Sequence, residues 1–234
     1  MSKQEFVKMC GGIPHEVEDR RKITEIVFIL DASGSMDGLE GDTIGGVNAI
    51  LKEQKKCEEG DIVYVSTVIF NTVSKVVHDR AKIEDVALMT SQDYIVGGWT
   101  ALYDAVGSAI RHISNVHKYA RKEDVPGKTT FVIMTDGMEN ASRHYTEKKV
   151  KAMLEEKQAL GWEFVFLAAN IDAAETAADI GISPDRAVDW NADKEGVDVL
   201  YTCVSQHLMN TRKRKKYMRD VFAGVDEDFK NRKK

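Results

Sequence analysis

Apolar strand-like runs alternate with amphipathic helical patterns along most of the 234-residue chain. Runs rich in β-branched residues occupy positions 23–30, 61–70, 128–135 and 163–169, and a weaker run occupies 186–190. Between most of them, apolar residues recur at helical spacing over stretches long enough for a crossover connection. This alternation predicts right-handed crossovers, a mostly parallel sheet and helices on both of its faces.

The junction after the second run differs from the others, because only a turn-sized break separates it from residues 73–79. A parallel connection needs a dozen or more residues, so we expect a hairpin here and an antiparallel edge strand at 73–79. The fold class predicted from the sequence is therefore α/β: a doubly wound, mostly parallel six-stranded sheet with one antiparallel edge strand.

The predicted helices have recognisable ends. The first carries an apolar stripe from Ile44 to Leu51 and is expected to stop at Gly60, and the third is expected to stop at Gly161. The last predicted helix begins near Lys194.

Length and composition favour one domain, because 234 residues with 43% hydrophobic content can bury a full core. We expect an N-terminal extension at 1–22, the domain at 23–210 and a charged tail at 211–234. The tail is interpreted as solvated charge, although Tyr217 and Phe222 offer a way to dock it on the domain.

Charge and cysteine content exclude several classes of protein. A net charge of −5 argues against a surface built to hold nucleic acid or anionic lipid. Cys10, Cys57 and Cys203 are odd in number and scattered, which suggests neither a disulfide framework nor a zinc ribbon. No segment approaches the length of a membrane span. These features predict a soluble, cytoplasmic protein without a membrane partner.

Polar side chains cluster in sequence where predicted strands end. The first strand runs directly into Asp31, Ser33 and Ser35, Thr100 lies in a loop before a helix, and Asp136 follows the strand-like run at 128–135. The carboxyl ends of parallel strands share one edge of a sheet, so these residues can meet there. If the first strand is central, that place is the topological switch point, where α/β proteins bind ligands.

The chemistry of this set points to a hard cation. It contains two carboxylates and three hydroxyls without imidazole or thiolate, which suits Mg²⁺ or Mn²⁺ and disfavours zinc. With so few carboxylates among its ligands, such a cation would hold waters. The cation would therefore accept one more anionic oxygen from outside the chain.

These motif pieces, in this order, resemble the complete metal-ion-dependent adhesion site (MIDAS) of the von Willebrand factor type A (vWA) domain, of the bacterial or phage intracellular type. The resemblance implies that hydroxyl oxygens of Ser33, Ser35 and Thr100 reach the metal. It also implies that Asp31 and Asp136 ligate directly or through water.

The resemblance further implies a function in protein binding, in which a Glu or Asp of a partner protein completes the coordination of the cation. Intracellular relatives often accompany ATPases of the chelatase and MoxR type, so an AAA-type ATPase is the partner suggested by analogy. In some relatives the terminal helix shifts when ligand arrives, which here would be the helix that begins near Lys194.

Other interpretations of the same residues stay open. Asp31 and Ser33 are also ordinary strand-end caps. A metal-dependent hydrolase is an alternative function, but no general base is evident, so we expect no enzyme. An adaptor that contacts nucleic acid through the basic run at 212–216 is a third possibility, disfavoured by the acids that follow that run.

Residues that flank the motifs have simpler expected roles. Asp37, Glu139 and Asn140 are interpreted as solvated loop residues rather than ligands. Gly97 and Gly98 are expected to let the Thr100 loop approach the site closely.

Overall fold

The computed structural model describes residues 23–56, 61–213 and 219–232. Its strands are β1 (Ile23–Asp31), β2 (Ile62–Phe70), β3 (Ser74–Lys82), β4 (Lys128–Thr135), β5 (Glu163–Ala168) and β6 (Ala187–Asp189). Its α-helices are α1 (Glu40–Gln54), α2 (Leu102–Tyr119), α3 (Glu147–Ala159), α4 (Ala173–Asp179), α5 (Lys194–Arg212) and α6 (Ala223–Arg232). The predicted N-terminal extension, Cys10, Cys57, Gly60, Tyr217 and positions 214–216 of the basic run lie outside the described residues.

The six strands form one sheet in the order β3-β2-β1-β4-β5-β6. All neighbouring pairs are parallel except β2 and β3, which are antiparallel. The predicted fold class and the antiparallel edge strand are therefore confirmed. Strand β1 lies between β2 and β4, so the chain leaves it on one side and returns on the other. The switch point consequently lies at the carboxyl end of β1, next to Asp31.

Helices cover both faces of the sheet. Successive β1 side chains point to opposite faces and therefore pack in different layers. Phe28 and Leu30 pack in the layer that contains α1, α5 and α6. Val27 and Ile29 pack in the other layer, against α2, α3 and α4. Buried apolar residues on both faces explain why β1 reads as a continuous hydrophobic run rather than an alternating one.

Of the two predicted helix ends, that of α3 agrees with the structure and that of α1 does not. Helix α3 stops at Ala159, and Gly161 follows with φ +89°, a left-handed conformation that favours glycine. Helix α1 ends at Gln54, well before the predicted stop at Gly60.

The C-terminal segment packs on the domain. Helix α5 extends to Arg212, and α6 lies against α5 and β6. Phe222 and Val225 are fully buried in the same core layer as α5. At these residues the structure corrects the interpretation as a solvated tail and agrees with the alternative in which Phe222 docks on the domain. Arg212, at the start of the basic run, points inward and its Nη2 lies 3.2 Å from Asp61 Oδ2.

Within the described part of the chain, no helix combines the length and the apolar character needed to cross a membrane.

Candidate metal centre

Asp31 ends β1 and is held by donors from two loops. Its Oδ1 accepts a hydrogen bond from the Ser33 backbone N–H at 2.7 Å. Its Oδ2 accepts from Thr135 Oγ1, at the end of β4, at 2.6 Å. The capping role considered for Asp31 therefore exists, and it orients the carboxylate at the switch point at the same time.

The turn after β1 brings its two serines to Asp136. A short 3₁₀ turn at Gly34–Met36 places Ser33 Oγ 3.1 Å from Ser35 Oγ. Ser35 Oγ in turn donates a hydrogen bond to Asp136 Oδ1, which joins the loop after β1 to the loop after β4. Ser33 and Asp136 are buried, whereas Ser35 lies at the exposed mouth.

Thr100 faces the same point. A Cβ atom built on Gly137 would lie 3.2 Å from both Ser35 Oγ and Thr100 Oγ1 and 4.0 Å from Ser33 Oγ. The three hydroxyls thus lie around one small space beside Gly137, and a Cβ at that position would crowd two of them. The structure brings together all five residues predicted for the site: Asp31, Ser33, Ser35, Thr100 and Asp136.

Backbone contacts draw the Thr100 loop onto the turn after β1. The Gly34 N–H donates to Gly98 O at 3.2 Å, and the Gly97 N–H donates to Ala32 O at 2.9 Å. Gly98 has φ +78°, and a Cβ there would come within 2.7 Å of Thr72 Oγ1. The close approach expected from the two glycines is therefore present, and it needs glycine at 98.

Two of the flanking residues expected to be solvated, Glu139 and Asn140, also make hydrogen bonds that join the loops. Asn140 joins the loop after β4 to the Thr100 loop. Its side-chain Oδ1 accepts from the Thr100 backbone N–H at 2.9 Å, and its backbone N–H donates to Thr100 O at 3.0 Å. The Glu139 carboxylate accepts from the Tyr103 N–H at the start of α2 and from the Ser142 N–H and hydroxyl. Both side chains hold the Thr100 loop in place.

Sequence reasoning missed two further contacts to Asp31. Thr135 could have been found, since its hydroxyl sits at a strand end beside Asp136. Tyr94, whose buried OH donates to Asp31 O, gave no signal in the sequence because it lies in an irregular segment far from the motif.

Burial dominates the electrostatics of the two acids. It raises the pKa of Asp31 above its ordinary value, against the opposing effect of hydrogen bonds from Thr135 and Ser33. Burial also raises the pKa of Asp136, and the nearby charge of Asp31 acts in the same direction. Asp136 Oδ2 is buried and has no hydrogen-bond partner among the described residues. A buried carboxylate oxygen without a donor is costly, and a cation would compensate it.

The donor set fits a hard divalent cation. The five side chains predicted for the site offer hydroxyl and carboxylate oxygens only, which suits Mg²⁺ or Mn²⁺ better than zinc. No group of three or more His, Cys, Asp or Glu side chains that could hold a metal occurs within the described ranges. Any cation here would therefore depend on the hydroxyls of Ser33, Ser35 and Thr100.

Four of the described histidines lie in the edge strand β3 and in helices α2 and α5. His78, in β3, and His207, in α5, are buried. The His78 ring nitrogens contact Thr67 Oγ1 at 3.0 Å and Ala87 O at 2.9 Å. His112 contacts Asp79 at 2.6 Å, and His117 contacts Glu25.

Comparison with known proteins gives a family match and several structural neighbours. The model of the family described as "VWA domain containing CoxE-like protein" matches residues 13–180, which is more than half of the chain. No curated protein sequence matches the chain significantly.

Among solved structures, the vWF domain of the type V pili tip protein Mfa5 from Porphyromonas gingivalis has a TM-score of 0.58 at 9% identity, covering 83% of this chain and 98% of that one. The conserved hypothetical protein BatB from Bacteroides thetaiotaomicron has a TM-score of 0.51 at 13% identity, covering 82% and 100%. Proximal thread matrix protein 1 from the mussel byssus, with a zinc-occupied MIDAS motif, has a TM-score of 0.52 at 16% identity. That match covers 78% of this chain but only 45% of the byssus protein. At these identities the likeness establishes the fold.

Proposed function

This chain belongs to the family of VWA domain containing CoxE-like proteins, and from that premise we propose that it is a Mg²⁺-dependent protein-binding module with a complete MIDAS. The cation, Mg²⁺ or Mn²⁺, is held by five residues: Asp31, Ser33, Ser35, Thr100 and Asp136. When bound, it would supply a positive charge with a coordination position that the five side chains leave open. A Glu or Asp carboxylate of a partner protein binds at that position.

One observation carries this proposal. Asp136 Oδ2 is buried without a donor, beside a space bordered by three hydroxyls that are brought together from two loops. A purely structural cluster would satisfy that oxygen, because a buried unpartnered carboxylate oxygen destabilises the fold. A cation in the space would satisfy it and would also favour the charged forms of Asp31 and Asp136.

The choice of cation rests on ligand chemistry. The byssus protein carries zinc at its MIDAS motif. Here the oxygen-only donor set supports Mg²⁺ or Mn²⁺ instead, because zinc favours imidazole and thiolate ligands.

We also propose that the site binds without catalysis. Hydrolysis at a metal needs a positioned base, and this proposal assigns both acids of the site, Asp31 and Asp136, to the metal. Within the described residues, none of the hydrogen-bond partners of the five site residues is an imidazole, an amine or a thiol.

The proposed cellular setting follows from family analogy. We place it in the cytoplasm of a bacterium or phage-infected cell, with an AAA-type ATPase as the partner suggested by family analogy. A nucleic-acid role is less favoured, since the inward-pointing Arg212 is unavailable to a phosphate backbone.

The test combines metal binding with partner capture. Wild type, Asp136→Ala and Asp37→Ala are melted with Mg²⁺ and with EDTA, and each is then used to capture proteins from a lysate of the source cell. Asp37 is the matched control, because it is an exposed acid two residues after Ser35 and outside the proposed ligand set.

We expect wild type and Asp37→Ala to be stabilised by Mg²⁺ and to retain a partner only in its presence, and Asp136→Ala to lose both effects. Equal melting of wild type in Mg²⁺ and EDTA, together with partners indifferent to EDTA, would refute the proposal.

A further inference from the structure

Large apolar side chains are exposed around the proposed metal site. The described residues expose nine such side chains. Four of them, Val73, Ile95, Trp99 and Met138, lie in the loops at the carboxyl edge of the sheet. Trp99 directly precedes the proposed ligand Thr100 and is 67% exposed, and Met138 follows Asp136 by two positions and is 72% exposed. Exposed apolar side chains concentrated around one site mark an interaction surface.

The backbone that carries Trp99 is held in place. The Trp99 N–H donates to Thr72 Oγ1 at 2.9 Å, and the Ala101 N–H donates to Asn71 O at 2.9 Å. The paired hydrogen bonds between Thr100 and Asn140 restrain the same loop. The indole is therefore presented to solvent on a restrained loop, which lowers the entropy lost when a partner packs on it.

A cleft of about 440 Å³ lies against the indole. We call it the Trp99 cleft, and it is lined by Thr72, Trp99, Asn140, Ala141, Ser142 and Arg143. Trp99 is the chain neighbour of Thr100, and Asn140 is hydrogen-bonded to it, so the cleft adjoins the proposed metal site directly.

Arg143 gives the cleft a charge. Its backbone N–H is fixed by Asp104 Oδ2 at 2.8 Å, and its side chain is exposed. Among the described residues, no carboxylate forms an ion pair with its guanidinium. An unpaired guanidinium beside an aromatic ring can bind a partner segment in which a carboxylate lies next to an apolar side chain.

We propose that the Trp99 cleft is a second subsite, which binds the partner residues next to the carboxylate held at the metal. A large apolar side chain of the partner packs on Trp99, and a second carboxylate pairs with Arg143. The inference rests on the proposed function and specifies its partner: an extended segment with two acidic residues and a neighbouring large apolar residue. Trp and Arg are the residue types that most often dominate binding energy at protein interfaces.

The test uses a phage-displayed library of random seven-residue peptides, selected on wild type with Mg²⁺ and counter-selected with EDTA. The affinity of one selected peptide is then measured for wild type, Trp99→Ala and Arg143→Gln. Two controls match these changes away from the site: Tyr119→Ala removes an aromatic residue that is 77% exposed at the far end of α2, and Arg111→Gln removes an exposed arginine on the same helix.

We expect Mg²⁺-dependent peptides to combine two acids with a large apolar residue. Trp99→Ala should weaken binding at least tenfold, Arg143→Gln about fivefold, and each control less than twofold. The Arg143→Gln loss should disappear for a peptide whose second acid is replaced by its amide.

Two other outcomes separate the inference from the proposed function. Peptides that carry an acid but no preferred neighbour, or that bind Trp99→Ala as tightly as wild type, overturn the inference and leave metal-bridged capture standing. A library that yields no Mg²⁺-dependent peptide overturns the inference. The melting of wild type with Mg²⁺ and with EDTA then decides whether the proposed metal site stands.

Discussion

Both edges of the sheet bury carboxylates, but the groups that contact these carboxylates differ. At the amino edge, Glu25 is fully buried and one of its oxygens lies 3.0 Å from Arg80 Nε, while the other contacts His117. At the carboxyl edge, Asp31 and Asp136 are buried with hydroxyl and amide donors only.

The two edges differ in the counter-charges of their acids. The amino edge pairs its acids with the chain's own cations, Arg80 for Glu25 and Lys128 for Glu163. The carboxyl edge leaves the pKa of both acids raised by burial and leaves Asp136 Oδ2 without a donor. A site that lacks a counter-charge in this way is suited to a cation supplied from outside.

The largest expected effect is the loss of the ion pair between Glu25 and Arg80 at the amino edge. Glu25→Gln leaves the Arg80 guanidinium without its counter-charge in a mostly buried position, so we expect the free energy of unfolding to fall by about 3–5 kcal/mol. Urea unfolding measures it, with Asp136→Asn in EDTA as the comparison. A loss below about 1 kcal/mol would mean that the pair behaves like a surface ion pair.

The second effect appears only at the carboxyl edge. Mg²⁺ at a hundred times its dissociation constant should stabilise wild type by about 2.7 kcal/mol, because only the folded state has the site. Glu25→Gln should keep this gain although it starts from lower stability, and Asp136→Ala should show none. In EDTA, Asp136→Ala should be at least as stable as wild type, because the change relieves repulsion with Asp31. Collapse of that variant in EDTA would contradict the proposed role.

The third effect is a pH dependence away from the metal site. Burial lowers the pKa of His207 to about 4, from 6.5 in the unfolded chain, so between these values the unfolded state binds the extra proton. Stability should be constant above about pH 6.5 and should fall as the pH drops towards 4, by about 2 kcal/mol at pH 5. His207→Gln should flatten this part of the profile, with the Mg²⁺ gain at pH 7 unchanged. An identical slope in the variant would assign the titration to another group.

The smallest stability effect belongs to Ser35, the exposed member of the proposed site. Ser35→Ala in EDTA removes the hydroxyl that donates to Asp136 Oδ1, so we expect the free energy of unfolding to fall by about 1 kcal/mol. It should still weaken Mg²⁺ binding in a calorimetric titration, because a proposed ligand is lost. Unchanged Mg²⁺ affinity would remove Ser35 from the ligand set.

Sequence reasoning recovered the elements that depend on local pattern. The hydrophobic runs predicted β1, β2, β4 and β5, and the short junction predicted the antiparallel β3. It failed where a boundary depends on packing rather than on local sequence signals. Helix α1 ends before the glycine expected to stop it. Residues 219–232 pack through Phe222 and Val225 although their composition is that of a charged tail. These buried side chains and ion pairs such as Arg232 with Asp193 hold the segment on the domain.

The sequence by itself determined the strand–helix alternation, the switch point and the five residues that meet there. It could do so because parallel strands end at a common edge, and polar residues at strand ends therefore converge whatever the details of packing. Only the tertiary structure decided which neighbours those residues acquire. Asn140 on Thr100, Tyr94 on Asp31 and the outward indole of Trp99 depend on loops that are distant in sequence and are joined by particular hydrogen bonds. No local periodicity encodes such contacts, because they form only after the strands have paired in register.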